Sequence, residues 1–248
     1  MPPPSSGSPA LDIVLFDIDD TLYSTTVFSE RARRAAIRAM IERGLLVEEE
    51  EGMTELGEVV AEFSSNYGNH FERLLDRLGP ERYPKRNPAV LVAAGVVAYH
   101  STKRDGLEML PDVQSVLLRL YSARIRLGVV SAGLHVKQAE KLVRLDAVQY
   151  FDPTAIFFTD QMGISKPNPK LFLKACKAAG VAPSRALYVG DRPTHDVAPA
   201  AAAGLKTVLY TGASGKYCGK DVDVRPDHAM ADMRELVPVL RHTYSLDV

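Results

Sequence analysis

The chain has 248 residues, 46% of them hydrophobic, with 30 Lys plus Arg against 31 Asp plus Glu. That much apolar material supports a large buried core and excludes wholesale disorder. A formal net charge of -1 removes the electrostatic basis for a dedicated nucleic-acid binder, which needs a surplus of Lys and Arg on one face.

Residues 1–10, MPPPSSGSPA, carry four prolines and three serines and read as a disordered tail. They have neither the basic start nor the apolar stretch of a secretory signal, and no apolar run approaches the roughly 18 residues that span a bilayer. A cytoplasmic protein without membrane partners is expected. Cys176 and Cys218 show neither CxxC nor Cys/His spacing, so neither a disulfide framework nor a zinc site is expected.

From Leu11 onward, short Val/Ile/Leu-rich runs alternate with helical patterns, the signature of an α/β fold: a Rossmann-like parallel sheet with helices on both faces. The first strand is Leu11 to Phe16 (LDIVLF). The next does not come until Arg126, and the intervening 85 to 90 residues greatly exceed the dozen or so that a crossover needs. Residues 24–108 therefore read as an inserted all-helical domain, with the core made of residues 11–23 and 109–248. Within the insert, helices are expected at Phe28 to Arg43, ended by Gly44, and at Thr54 to Tyr67, His70 to Leu78 and Ala89 to Lys103. The acidic run Glu48 to Glu51 reads as a solvated connection. The apolar stretch Ala89 to Ala98 fits either a core or a dimer contact, so a monomer and a homodimer both stay open.

Beyond the insert come a helix near Asp112 to Ser122, a strand Arg126 to Val130, a helix Val136 to Leu145 and a strand Ala155 to Phe158. A helix Pro169 to Ala179, a strand Ala186 to Val189, a helix Asp196 to Ala203 and a strand Lys206 to Tyr210 complete the pattern. Polar residues stand where strands end: Asp17-Ile18-Asp19-Asp20-Thr21, Ser131-Ala132-Gly133, and Gly190-Asp191 with Asp196 following. Ligands of open parallel sheets bind at the carboxyl ends of strands, so these groups should share one crevice.

DIDDT at Asp17 to Thr21, Ser131, Lys166 within SKPNP, and GDRPTHD at Gly190 to Asp196 resemble, in order, the four motifs of the haloacid dehalogenase superfamily. The match runs from Leu11 to about Thr211, and the insert resembles that superfamily's helical cap. Within the superfamily, VAAGVVAYHSTK and VKQAEKLVRL resemble a mainly archaeal subgroup of glyceraldehyde 3-phosphate phosphatases.

The resemblance implies a Mg²⁺-dependent phosphatase acting on a small phosphorylated metabolite. The residue types suit that chemistry, because a carboxylate attacking an anionic phosphate needs a cation between them, and clustered aspartates are hard ligands for Mg²⁺. Asp17 is the expected nucleophile, forming an aspartyl-phosphate, and Asp19 the acid and base, its backbone carbonyl on the metal. Asp17 and Asp191 are the expected metal ligands, with Asp196 holding metal-bound water. Thr21, Ser131, Ala132 with the Ala132 and Gly133 amides, and Lys166 are expected at the phosphoryl group. Counting Asp19 as protonated, the four carboxylates contribute -3, which Mg²⁺ and Lys166 balance.

Each residue also has a structural reading. A lone Asp after a strand is commonly a helix cap or turn former, which suits Asp12, Asp20, Asp112 and Asp152; Asp196 could likewise cap a helix. Thr21 could satisfy loop backbone instead of substrate, and His195 could simply face solvent. GASGK at Gly212 to Lys216 lacks the first glycine and final Ser/Thr of a phosphate loop and is set aside.

Alternatives on the same scaffold are a 2-haloacid dehalogenase, a phosphomutase and a nucleotidase, with a non-catalytic binding module as a further class. Asp19 argues against the dehalogenase, because a halide leaves without a proton. Ala132 replaces the Asn that follows the Ser in many relatives. Selectivity is expected from cap residues that the sequence does not single out.

Overall fold

The computed structural model describes residues 11–63, 67–213 and 224–248. The expected tail at residues 1–10, Cys218 and most of GASGK lie outside them. The chain divides into two compact units, Met1–Thr26 with Glu108–Val248, and Val27–Leu107.

In the first unit the strands are β1 (Ile13–Phe16), β2 (Leu127–Ser131), β3 (Ile156–Phe158), β4 (Ala186–Gly190), β5 (Lys206–Tyr210) and β6 (His228–Met230). They form one sheet in the order β3-β2-β1-β4-β5-β6 with every neighbouring pair parallel. Chain order reverses at β1, which lies between β2 and β4, and such a switch point opens a crevice at the strands' carboxyl ends. β1, β2 and β4 are buried along their whole length, as their continuous apolar runs require. Ile13, Leu15, Val130 and Ala186 join Leu171, Phe172 and Cys176 in one of the buried clusters beneath the sheet. β6 was not foreseen. His-Ala-Met carries no β-branched residue, and the strand owes its place to β5 alone.

The helices of this unit are α5 (Pro111–Ser122), α6 (His135–Arg144), α7 (Thr159–Met162), α8 (Lys170–Ala179), α9 (Ala198–Ala202) and α10 (Leu236–Tyr244). The helix expected over Asp196 to Ala203 is divided: Pro193–Val197 forms a π-turn, and α9 begins only at Ala198. π-turns widen a helix locally and recur at functional sites.

The second unit is helical: α1 (Thr25–Glu42, its first two residues in the other unit), α2 (Glu49–Phe63), α3 (His70–Leu78) and α4 (Pro88–Asp105). Its core joins Ala36, Ile37 and Met40 of α1, Leu56 of α2, Phe71, Leu74 and Leu75 of α3 and Leu91 of α4. Gly44 ends α1 at φ +102°, a conformation that favours glycine. α4 turns Leu91 inward and leaves Val90 and Val97 exposed.

The acidic run corrects an expectation. Glu49, Glu50 and Glu51 form the first turn of α2, not a solvated link. Negative charge is favoured at a helix N-terminus, and the repulsion is offset by arginines: Arg34 pairs with Glu49 and Glu50, Arg38 with Glu49, and Arg82 with Glu51. No helix among the described residues is long and apolar enough to cross a membrane.

Candidate active site

Asp17 directly follows β1, and its amide donates to the carbonyl of Val189 at 2.9 Å, tying the loop to β4. Asp191 directly follows β4. Because β1 and β4 are adjacent and in register, Phe16 opposite Val189, the two carboxylates leave the sheet side by side. Asp196 reaches the same place from the π-turn. Each of these three buried aspartates offers an oxygen within 4.8 Å of the others. Gly190 makes room for them: a Cβ there would lie 2.7 Å from Cβ of Asp196.

Lys166 joins the cluster from the loop before α8. Its buried Nζ donates to Asp196 Oδ1 at 2.6 Å and to the Tyr188 hydroxyl at 2.6 Å, and stands 3.0 Å from Asp17 Oδ1 as an ion pair. Burial works against the cation, but Asp17 and Asp196 outweigh it and raise its pKa, so Lys166 stays charged. Tyr188 accepts from Lys166 and directs its one proton to the Val130 carbonyl (3.0 Å) or to Asp196 Oδ1 (3.2 Å). Asp196 Oδ2 accepts from the Arg192 amide at 3.0 Å. Both Asp196 oxygens are therefore engaged by protein groups.

Asp17 and Asp191 are less well provided for. Burial pushes both carboxyls above the usual range, and neighbouring carboxylates add to it, with Lys166 opposing. Asp191 Oδ1, Thr21 Oγ1 and Ser131 Oγ are buried and have no hydrogen-bond partner. Asp17 Oδ1, though ion-paired with Lys166, and Gln138 Oε1 on α6 also lack one; unpaired buried polar atoms are costly, and their gathering after β1, β2 and β4 and on α6 marks a place built for a ligand.

The oxygens of Asp17 and Asp191 fit a hard divalent cation, which would offset both the burial and the carboxylate repulsion that raise their pKa values.

Asp19 belongs to a second network. Oδ1 accepts from the Tyr23 hydroxyl (2.5 Å), the Thr25 hydroxyl (2.8 Å) and Lys141 Nζ (2.6 Å), and Oδ2 from Lys141 Nζ (2.7 Å) and Gln138 Nε2 (3.2 Å). Although burial disfavours its charge, Lys141 and then the two hydroxyls hold this carboxyl below the usual range. Gln138 Nε2 also donates to the Ala132 carbonyl at 2.6 Å. One expectation needs correcting. The Gly133 amide, turned by φ +133°, donates to Thr159 Oγ1 at 3.0 Å instead of standing free for a phosphoryl oxygen.

The other aspartates have structural partners. Asp20 accepts from the amide and hydroxyl of Thr26 at the start of α1, and Asp152 from the Thr154 amide. Asp12 pairs with Arg185, and Asp112 joins Tyr210 to the Met233 amide. His195 Nδ1 lies 3.0 Å from the Thr194 hydroxyl.

Residues 11–204 match the family model described as haloacid dehalogenase-like hydrolase. The chain belongs to this family. It is 46% identical over 235 residues to a glyceraldehyde 3-phosphate phosphatase of Methanopyrus kandleri, covering 92% of this chain and 96% of that one. It is 38% identical over 239 residues to a protein of the same name from Pyrococcus furiosus, covering 96% of each. Among solved structures, a HAD family hydrolase from Deinococcus radiodurans with bound phosphate and sodium superimposes with a TM-score of 0.69 at 18% identity, over 97% of this chain and 99% of that one. This hydrolase family membership accounts for the order of the four motifs along the chain. Lys141, Gln138 and Tyr188 escaped the sequence reading. Tyr188 looks like an ordinary buried strand residue, although its hydroxyl must find a partner when buried. Lys141 and Gln138 lie three apart on α6, and the signal was their place on the first helix after the strand that ends at Ser131.

Proposed function

We propose that the chain is a Mg²⁺-dependent phosphatase of a small phosphorylated metabolite, a triose phosphate such as glyceraldehyde 3-phosphate, working through an aspartyl-phosphate. What carries the reading is the near full-length similarity to phosphatases of that name, and the carboxylate cluster at the switch point supplies chemistry that suits it.

Asp17 and Asp191, with the Asp19 backbone carbonyl, would hold the metal. Asp196 stands behind them, its oxygens already engaged by Lys166, Tyr188 and the Arg192 amide. Mg²⁺ held there would offset the carboxylate charge and supply Lewis-acid polarisation of the phosphoryl group.

Asp17 attacks phosphorus, and the ester oxygen leaves with the proton of Asp19. A water then attacks the phosphorus of the aspartyl-phosphate as Asp19 removes its proton, releasing inorganic phosphate and regenerating both carboxyls. The unpartnered hydroxyls of Ser131 and Thr21 are the donors available to the phosphoryl oxygens. Lys166 orients Asp17 and holds positive charge beside it. Its Nζ donates to Asp196 and Tyr188 and faces Asp17 only as an ion pair, so a phosphoryl oxygen in contact with it would compete with Asp17.

The test is a screen of phosphorylated metabolites, with Mg²⁺ and with chelator. Metal-dependent phosphate release with a preference for triose phosphates is expected. No release from any ester would overturn the phosphatase reading, and a preference for nucleotides would overturn the triose assignment.

A further inference from the structure

The carboxylate of Asp19 takes five contacts on two oxygens, from Tyr23, Thr25, Gln138 and twice from Lys141. A carboxylate offers about four lone-pair positions, so an ester oxygen or a water reaches Asp19 only by displacing one of these donors while the others hold it. Tyr23 and Thr25 are neighbours in the same loop, but Gln138 and Lys141 lie 119 and 122 residues further along the chain. They face Asp19 together because residues three apart share a helix face. The side chain of Gln138 cannot be reversed: Nε2 meets two acceptors, Asp19 Oδ2 and the Ala132 carbonyl, so the nitrogen must face them. Lys141 Nζ also sits 5.9 Å from the ring centroid of Tyr23, beside one of the groups that hold the carboxylate.

We propose that Lys141, supported by Gln138, is a positioning residue for Asp19: α6 seats a cation that keeps the acid/base carboxylate in one rotamer, so that it meets the substrate already placed. The proposal rests on the phosphatase reading and adds to it a residue that acts through Asp19. Misplacing a reacting group by about 1 Å can cost a hundredfold in rate. Losing Lys141 should therefore lower turnover and leave substrate binding largely unchanged.

The experiment compares wild type, Lys141→Met, Lys141→Arg and Asp17→Asn with Mg²⁺ on two esters. An alkyl phosphate, glyceraldehyde 3-phosphate, leaves as a basic alkoxide that needs a proton; p-nitrophenyl phosphate leaves as a phenolate that does not. For Lys141→Met, kcat on the alkyl ester should fall about tenfold to a hundredfold, with KM within about threefold. The pre-steady-state release of p-nitrophenol, which reports the first step alone, should stay within about twofold, and Lys141→Arg should recover most of the lost kcat. Should Lys141→Met melt early, Lys141→Gln carries the same expectation. Unchanged kcat, a rise in KM alone, or a fall in the p-nitrophenol burst as large as the fall in kcat on the alkyl ester would overturn the role of Lys141. An active Asp17→Asn would instead overturn the phosphatase reading, so the two failures are distinguishable.

Discussion

Replacing Lys166 by Met tests whether the buried cluster is held by charge. Its side chain is 3% exposed and those of Asp196 and Asp17 are 0% and 8% exposed, so solvent screens these pairs little. Met fills a similar volume and removes only the cation, leaving two buried carboxylates facing each other. Removing one partner of a buried ion pair typically costs about 3 to 5 kcal/mol. For a chain of this size each kcal/mol lowers Tm by about 2 to 4 °C, so the variant should melt about 6 to 20 °C lower in chelator. Burial already raises the Asp17 carboxyl above its unfolded value, and the variant removes the lysine that opposes this, so its contribution is full at acid pH and lost as pH rises through the raised value. The deficit should therefore shrink towards pH 5, and Asp196→Asn added to Lys166→Met should recover part of it. Thermal melts in chelator at several pH values read this directly. A fall of less than about 2 °C at neutral pH would refute the electrostatic account.

Metal binding should itself depend on pH. Asp17 and Asp191 have raised pKa values without metal, so Mg²⁺ displaces protons from them; the rise in Tm on adding Mg²⁺ should be larger at pH 8 than at pH 5.5, and calorimetry should detect proton release. Gly190→Ala places a Cβ 2.7 Å from that of Asp196; the expected result is at least a tenfold loss of kcat, checked with crude substrate saturation and far-UV circular dichroism. Leu74→Ala, in the core of the helical unit, should cost about 2 to 5 kcal/mol in denaturant unfolding.

The sheet was legible because buried parallel strands must be continuous apolar runs, and Leu11 to Phe16 and Ala186 to Val189 have no other reading at that length. Asp17 and Asp191 could be placed together because each immediately follows such a run. β6 was illegible because a three-residue edge strand of His, Ala and Met carries no pattern of its own. The run Glu48 to Glu51 was misread because its arginine partners, Arg34, Arg38 and Arg82, come from other segments that only the fold brings near. The same limit hid Lys141, whose pairing with Asp19 spans 122 residues and the whole sequence of the second unit. Long-range charge pairs leave no local periodicity to read.

The most direct test of the central claim is a search for phosphate on Asp17. An acid-quenched single turnover with a labelled phosphate ester and Mg²⁺ should leave label on the peptide that carries Asp17, and chelator or Asp17→Asn should abolish it. Label on another residue, or metal-dependent turnover by the Asn variant, would contradict the account.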